Sequence, residues 1–320
     1  MTRNSSVASE GSVAVIDVGS NTIKLLVAKL SSLGDLKVQH ERSDATRIES
    51  KHSAGGRILT ENGIIKGLKA IERLLQESLP YEPFCVRIVA TGIVRDSVNG
   101  KLFADRVHMV TGYVLDIISG DEEATGIAQG VGTDSLFSDQ SNYVVCDLGG
   151  GSLELIRVEN RTVRATASLP LGAVRLAKRF VKNACLPSSQ SEMDVISTHV
   201  HQTLSASDFP FPLHPFFMVA TGGAFATARA VFAEAKNISF EECEILSSSD
   251  LSAFLAESAF LPIDQRVQRF PPLPMERADI MPTALRVMLT LLEYANTSEA
   301  HHSLRNLRFG IAAKLLDYGN

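Results

Sequence analysis

Val13-Ala14-Val15-Ile16-Asp17-Val18-Gly19-Ser20-Asn21-Thr22-Ile23-Lys24-Leu25-Leu26-Val27 opens as an apolar run, breaks at a polar glycine turn and resumes as a second apolar run. That pattern is a strand, a tight loop and a returning strand. The unit recurs at Tyr143-Val144-Val145-Cys146-Asp147, the loop Leu148 to Ser152, and Leu153-Glu154-Leu155-Ile156. Two later strand ends, Val89-Ala90-Thr91-Gly92 and Val219-Ala220-Thr221-Gly222, repeat as well. Asp17 to Val89 is 72 positions, and Asp147 to Val219 is again 72. Two landmarks at one spacing imply two related α/β halves, each with antiparallel strands feeding a later strand and helix.

Working outward, the spacing predicts a helix over Glu61 to Ser78, a break at Pro80 and Pro83, and a strand from Val86 to Thr91. A helix over Val94 to Val107, a strand from Val114 to Ile118 and a helix capped by Asp121 and running to Gly130 follow. The small, polar stretch Gly132 to Ser141 is the expected hinge. Beyond it, helices are expected over Ala173 to Lys182, Ser191 to Ser205, Phe225 to Ala235, Asp250 to Leu261 and Pro282 to Ala295. Loops at Pro210, Pro212 and Pro215, and at Pro271, Pro272 and Pro274, separate them. The domain expectation is a disordered tail over 1–11, a first domain over 12–133 completed by a C-terminal helix over 305–320, and a second over 134–304.

At 320 residues, two domains of ordinary size are expected, and 45% apolar with 21% charged residues is the composition of a folded soluble protein. A net charge of −5 offers no basic field for a nucleic-acid backbone, so any polyanion must meet local donors or a bound cation. Cys85, Cys146, Cys185 and Cys243 lie far apart without zinc spacing and read as reduced core thiols. No apolar run is long enough to span a bilayer, which places the chain in the cytoplasm with no membrane partner. The histidines, the pair His301-His302 included, show no triad or metal spacing and read as surface residues.

Backbone N–H groups in the two loops, at Gly19, Ser20 and Asn21 and at Gly149, Gly150, Gly151 and Ser152, can converge on phosphate oxygens. Each loop alone reads equally as an ordinary hairpin turn. As a pair from related halves they would face each other across an interdomain cleft, bringing Asp17 and Asp147 together around a cation such as Mg²⁺. Glu154 is a further metal candidate or a solvent-facing strand residue. Among Asp121, Glu122 and Glu123, one that faces the cleft qualifies as a base for water; all three also suit a helix start. Arg95 presents a planar fork suited to phosphate, or pairs with Asp96 or Glu122. Gly222 and Gly223 open a helix and either offer N–H groups to an anion or make a close-packed turn. No P-loop motif is present, which excludes that class of nucleotidase.

Six ordered motifs carry a family resemblance: Asp17-Val-Gly-Ser-Asn-Thr22, Ala90-Thr-Gly-Ile-Val-Arg95, Ile118-Ser-Gly-Asp-Glu-Glu-Ala124, Asp147-Leu-Gly-Gly-Gly-Ser-Leu-Glu154, Ser168-Leu-Pro-Leu-Gly-Ala-Val-Arg175 and Glu276-Arg-Ala-Asp279. Over roughly Val13 to Leu316 the chain resembles the exopolyphosphatase / guanosine pentaphosphatase (Ppx/GppA) family, in a short two-domain form. The resemblance implies two duplicated ribonuclease-H-like domains of the actin, Hsp70 and sugar kinase superfamily with an interdomain cleft. It implies Glu123 as the general base, Arg95 as the group that holds the terminal phosphate, and Asp17, Asp147 and Glu154 as ligands of Mg²⁺ or another divalent cation. It implies a cytoplasmic homodimer that releases orthophosphate from inorganic polyphosphate, with guanosine pentaphosphate (pppGpp) hydrolysis, a kinase, or a weakly catalytic polyphosphate or alarmone sensor as alternatives. Three positions depart from it: Gly92 where relatives often carry Ser, and Leu153 and Ala224 where Thr is common, each removing a hydroxyl.

Overall fold

The computed structural model describes residues 11–53, 55–213 and 216–317. The expected tail, Gly11 apart, Pro215 and the last three positions of the expected C-terminal helix lie outside the described residues. Two compact units form: one runs to Ser135 and is completed by the chain from Leu307 onward, and the other spans Leu136–Asn306.

The first unit contains β1 (Ser12–Val18), β2 (Ile23–Leu30), β3 (Leu36–Asp44), a small hairpin of β4 (Ser50–Ser53) and β5 (Gly56–Leu59), β6 (Pro83–Ala90) and β7 (Leu115–Ile117). The main sheet has the order β3-β2-β1-β6-β7; β1 is antiparallel to β2 and parallel to β6. β1 is buried on both faces. Ala14, Ile16 and Val18 pack with α1 (Glu61–Ser78) and with Phe103 and Val107 of α3 (Gly100–Thr111), whereas Val13 and Val15 pack with Phe309 and Ala312 of α12 (Leu307–Leu315). By period-two alternation Asp17 shares the α12 face. Each such Val, Ile or Leu contributes about 1.5–3 kcal/mol on full burial, so an apolar run with no polar alternation belongs at the centre of the sheet.

The second unit repeats that plan. Its sheet has the order β10-β9-β8-β11-β13-β12, with β8 (Tyr143–Leu148), β9 (Leu153–Glu159), β10 (Thr162–Leu169), β11 (Met218–Thr221), β12 (Ile245–Ser247) and β13 (Glu299–His302). The first five correspond to β3-β2-β1-β6-β7, and β12 adds an antiparallel edge. Its core collects Val144, Cys146, Leu148, Leu153 and Leu155 with helices α5 (Ala173–Phe180), α6 (Gln190–Ala206), α7 (Gly223–Lys236), α8 (Ser248–Ser258) and α11 (Met281–Tyr294). The short helices α9 (Ile263–Arg269) and α10 (Met275–Ala278) precede α11.

The repeat differs in one detail of register. Asp17 lies beside Val89 on β6, but Asp147 lies beside Thr221 on β11. The spacing of 72 therefore joins facing partners in the first unit but falls two residues short of the partner in the second, and because side chains alternate, a shift of two preserves every face.

Several expectations are corrected. The helix over Val94 to Val107 divides into α2 (Gly92–Arg95) and α3, because Asn99 leaves the helical path to bond the backbone of Leu59 through Oδ1 (2.8 Å) and Nδ2 (3.0 Å). The helix expected from Asp121 is α4 (Gly120–Gly132), capped by Ser119, whose Oγ accepts from Glu122 N while the Glu122 carboxylate accepts from Ser119 N. It runs into the expected hinge because nothing in Gly130-Val131-Gly132 stops it earlier. Pro83 begins β6 instead of breaking the chain, as the first position of a strand permits. Cys185 is exposed and Cys85 half-buried, so only Cys146 and Cys243 are core thiols. His302 is not a surface residue: it is 1% exposed, and burial, aided by the Arg229 guanidinium, lowers its pKa to about 3.

Gly310 of α12 lies so close to α4 that a methyl group there would collide with the Gly126 carbonyl oxygen. Gly310→Ala should destabilise the protein by about 1–3 kcal/mol through overpacking, read as a lower midpoint in urea unfolding. An unchanged midpoint would show that the crossing is not close-packed.

Candidate functional site

The two strand-loop-strand units share one skeleton. Asp17 pairs across β1 and β2 with Lys24, and Asp147 pairs across β8 and β9 with Glu154. Gly19 N donates to Thr22 O (3.1 Å), and Gly149 N donates to Ser152 O (3.0 Å). The chemistry at the paired positions differs: one hairpin sets an ammonium beside its aspartate, the other a second carboxylate.

In the second unit, the start of α5 polarises the loop. Ala173 N donates to Gly149 O, Arg175 N to Gly150 O, both at 3.0 Å, and Arg175 Nε to Gly151 O at 2.6 Å. With these three carbonyls tied back, the N–H groups of Gly150, Gly151 and Ser152 remain as donors with no acceptor among the described residues. A row of free amides beside anchored carbonyls leaves donors that an anion can accept. Gly172 makes this possible, because a Cβ there would strike the backbone of Gly150 and Gly151. Gly222 has φ +109°, and a side chain on it would meet Asp147 Oδ1 at 2.6 Å, so the β11–α7 turn lies against that carboxylate. Arg277 stands over Gly223 at the start of α7, where a Cβ would meet its Cζ at 2.6 Å.

Glu154 is 2% exposed, which removes the solvent-facing reading. Its Oε1 accepts from Ser168 Oγ on β10 at 2.9 Å, and Ser168 lies opposite Glu154 in register.

In the first unit, Arg95 ends α2 and Glu123 lies in the first turn of α4. Arg95 Nη1 donates to Glu123 Oε2 at 2.6 Å. Ser119 and Glu122 occupy each other in a capping box, and Asp121 and Glu122 are exposed, so Glu123 alone of the three acids turns inward. The Ser119 backbone and hydroxyl hold the Glu122 carboxyl below its usual range. A charge-assisted bond this short between partly enclosed groups is strong and geometrically defined.

Asp17 is half-buried with its Oδ1 enclosed, and neither that Oδ1 nor the Oδ1 and Nδ2 of buried Asn21 has a hydrogen-bond partner among the described residues. Such orphans cost free energy and call for a ligand, ion or water. Burial pushes the Asp17 carboxyl up, with Lys24 and then Arg308 opposing it. Arg308 comes from α12, where Nη1 donates to Leu25 O (2.8 Å) and Nη2 pairs with Glu41 (3.1 Å).

Among the described residues, no three His, Cys, Asp or Glu side chains gather into a ready-made metal cage. In the second unit the donor chemistry still suits Mg²⁺, which keeps several waters and needs only one or two carboxylates, because Asp147 and Glu154 are neighbours across β8 and β9. Sequence reasoning does not single out Arg175, Arg277, Arg308 or Ser168. Arg175, Arg277 and Ser168 lie inside recognised motifs, which is a usable signal, although the contact of Ser168 with Glu154 comes through strand register; Arg308 acts through helix packing that no local pattern shows.

The chain thus carries two related α/β units, each with a glycine loop, an arginine bonded to a buried carboxylate in the first and open amide donors in the second. The Ppx/GppA phosphatase family model matches residues 26–319, and this chain belongs to that family. It is 23% identical over 309 residues to a guanosine-5'-triphosphate,3'-diphosphate pyrophosphatase of Vibrio atlanticus, covering 95% of this chain and 59% of that one. It is 33% identical over 194 residues to exopolyphosphatase 2 of Mycobacterium tuberculosis, covering 58% of each. The chain thus spans less than two thirds of the length of these curated relatives. In fold it is similar to an exopolyphosphatase structure from Cytophaga hutchinsonii (TM-score 0.83, 20% identity, 96% of this chain and 98% of that one). It is also similar to the Aquifex aeolicus Ppx/GppA family member (TM-score 0.78, 23% identity, 97% and 99%). Among the described residues no helix is long and apolar enough to cross a membrane.

Because Asp17 binds its proton more tightly when folded, its ionisation opposes folding as pH rises above the ordinary carboxylate range of about 4. In chelator-treated protein, Asp17→Asn should raise Tm near pH 8, and the gain should shrink as pH falls toward about 5. A gain independent of pH would show that Asp17 carries no buried charge.

Proposed function

We propose that this chain is an exopolyphosphatase, a hydrolase that cleaves the terminal phosphoanhydride bond of inorganic polyphosphate and releases orthophosphate. The observation that carries the reading is the Arg95–Glu123 pair: a planar phosphate-binding fork bonded to an inward-facing carboxylate. A terminal phosphate competes with Glu123 for the guanidinium. The carboxylate then accepts a proton from water as the water oxygen attacks phosphorus. The bond from that phosphorus to the bridging oxygen breaks, the shortened chain leaves with the electron pair, and the proton passes from Glu123 to solvent. Such a transfer requires positioning and charge neutralisation above all.

In this reading the amides of Gly150, Gly151 and Ser152, the Gly19-Ser20-Asn21 loop and the Gly222-Gly223 turn hold phosphate oxygens. Phosphatases of this family generally depend on a divalent metal. Asp17, Asp147 and Glu154 are the carboxylates we assign to Mg²⁺ or a similar cation, which when bound neutralises phosphate charge. Hydrolysis of guanosine pentaphosphate is the second reading, supported by the Vibrio relative that aligns with 95% of this chain. A cytoplasmic homodimer completes the proposal.

Phosphate release from polyphosphate and from guanosine pentaphosphate should rank the two substrates. Glu123→Gln should lower kcat by about 10²–10⁴-fold with little change in substrate binding. Full activity in that variant sinks the base assignment, and binding without turnover of either substrate by the wild type leaves a sensor instead of an enzyme. Arg95→Lys keeps the charge but loses the fork, and should raise KM as well as lower kcat.

A further inference from the structure

The second unit carries a charged surface that the chemistry above does not use. α5 has two faces: Ala173, Leu176 and Ala177 are buried, whereas Arg175 is half-buried and Lys178 and Arg179 are exposed. Spacings of three and four residues place these cations on one side of the helix. Lys182 follows just past the helix end. Unlike Lys66, Arg73, Lys236 and Arg269, which pair with carboxylates, the side chains of Lys178, Arg179 and Lys182 form no ion pair among the described residues. The Arg179 guanidinium lies over the Phe180 ring at 4.9 Å. Glu192 Oε1 accepts from the Lys182 backbone N–H at 2.9 Å, so a carboxylate borders the far end of the stripe beside Lys182.

This stripe begins on the phosphate loop itself, because Arg175 donates from its backbone to Gly150 O and from Nε to Gly151 O. In a chain of net charge −5, a cationic face whose exposed Lys178 and Arg179 form no ion pair among the described residues, and which adjoins a loop of open amides, has one natural occupant, an extended polyanion. We infer that the Arg175, Lys178 and Arg179 face of α5 is a track for the phosphates that follow the end group, making a linear inorganic polyphosphate longer than the loop can hold the preferred ligand. The inference rests on the phosphate-binding reading above and adds to it a chain-length preference. Cations in the last turn of α5 also suit the helix dipole, but that role affects stability and not chain length.

The test compares binding of long-chain polyphosphate and of tripolyphosphate by wild type, Lys178→Gln/Arg179→Gln, and Lys37→Gln/Lys101→Gln, a control with the same charge change on the exposed surface of the first unit. The α5 double variant should bind the long chain about fivefold more weakly, as expected for two exposed ion pairs, with a shallower dependence of log Kd on log salt. Its loss for tripolyphosphate should be smaller, the control should stay near wild type, and Lys178→Arg/Arg179→Lys should restore affinity. Equal losses in the α5 variant and the control, equal losses for long and short chains, or no loss would each overturn the track. Phosphate release is measured in parallel. Selective weakening without turnover in the wild type supports the track while rejecting hydrolysis, and turnover with an unweakened α5 variant does the reverse.

Discussion

The contact between Gly310 and the Gly126 carbonyl organises the first unit. With no side chain between them, α12 and α4 approach backbone to backbone, and Leu307 packs against Gly126 one turn away. α12 thereby covers the Val13 and Val15 face of β1 and delivers Arg308 to the vicinity of Asp17. α4 in turn carries Glu123 to Arg95. One close crossing thus ties the last helix of the chain to the strand and the helix that hold the candidate phosphate chemistry.

Charge is distributed around that framework with a consistent logic. Burial disfavours an ionised carboxylate unless a cation or donor stands close. Glu123 has Arg95, Glu154 has the Ser168 hydroxyl, and Asp17 has Lys24 and Arg308 nearby but an oxygen left open. The loop at Gly149 presents the opposite case: its carbonyls are consumed by α5, and the amides of Gly150, Gly151 and Ser152 keep no acceptor among the described residues. Binding capacity therefore arises from what the surrounding structure occupies as much as from the residues that remain.

Much of the fold is legible in the order of residues alone. The apolar runs ending in Asp17 and Asp147 fit only central strands, and the repeat defines two related sheets. α1 occupies Glu61–Ser78, the span that the apolar spacing predicts. Other features leave no local trace: Asn99 breaks a continuous helical pattern through bonds to Leu59, forty positions away. The register of β11 against β8 differs by two from that of β6 against β1, a difference that no spacing within the strands records.

The sequence by itself determined the duplicated α/β plan and the two glycine loops with Asp147 and Glu154 beside the second, because strand periodicity and turn chemistry are local properties of the chain, whereas Arg95 and Glu123 stood out only through motifs that resemble a known family. Only the tertiary structure decided that Glu123 turns inward while Glu122 caps its helix, that Glu154 is buried, and that Arg308 reaches the neighbourhood of Asp17. Burial and pairing depend on elements distant in sequence, and a side chain takes its charge environment from those neighbours.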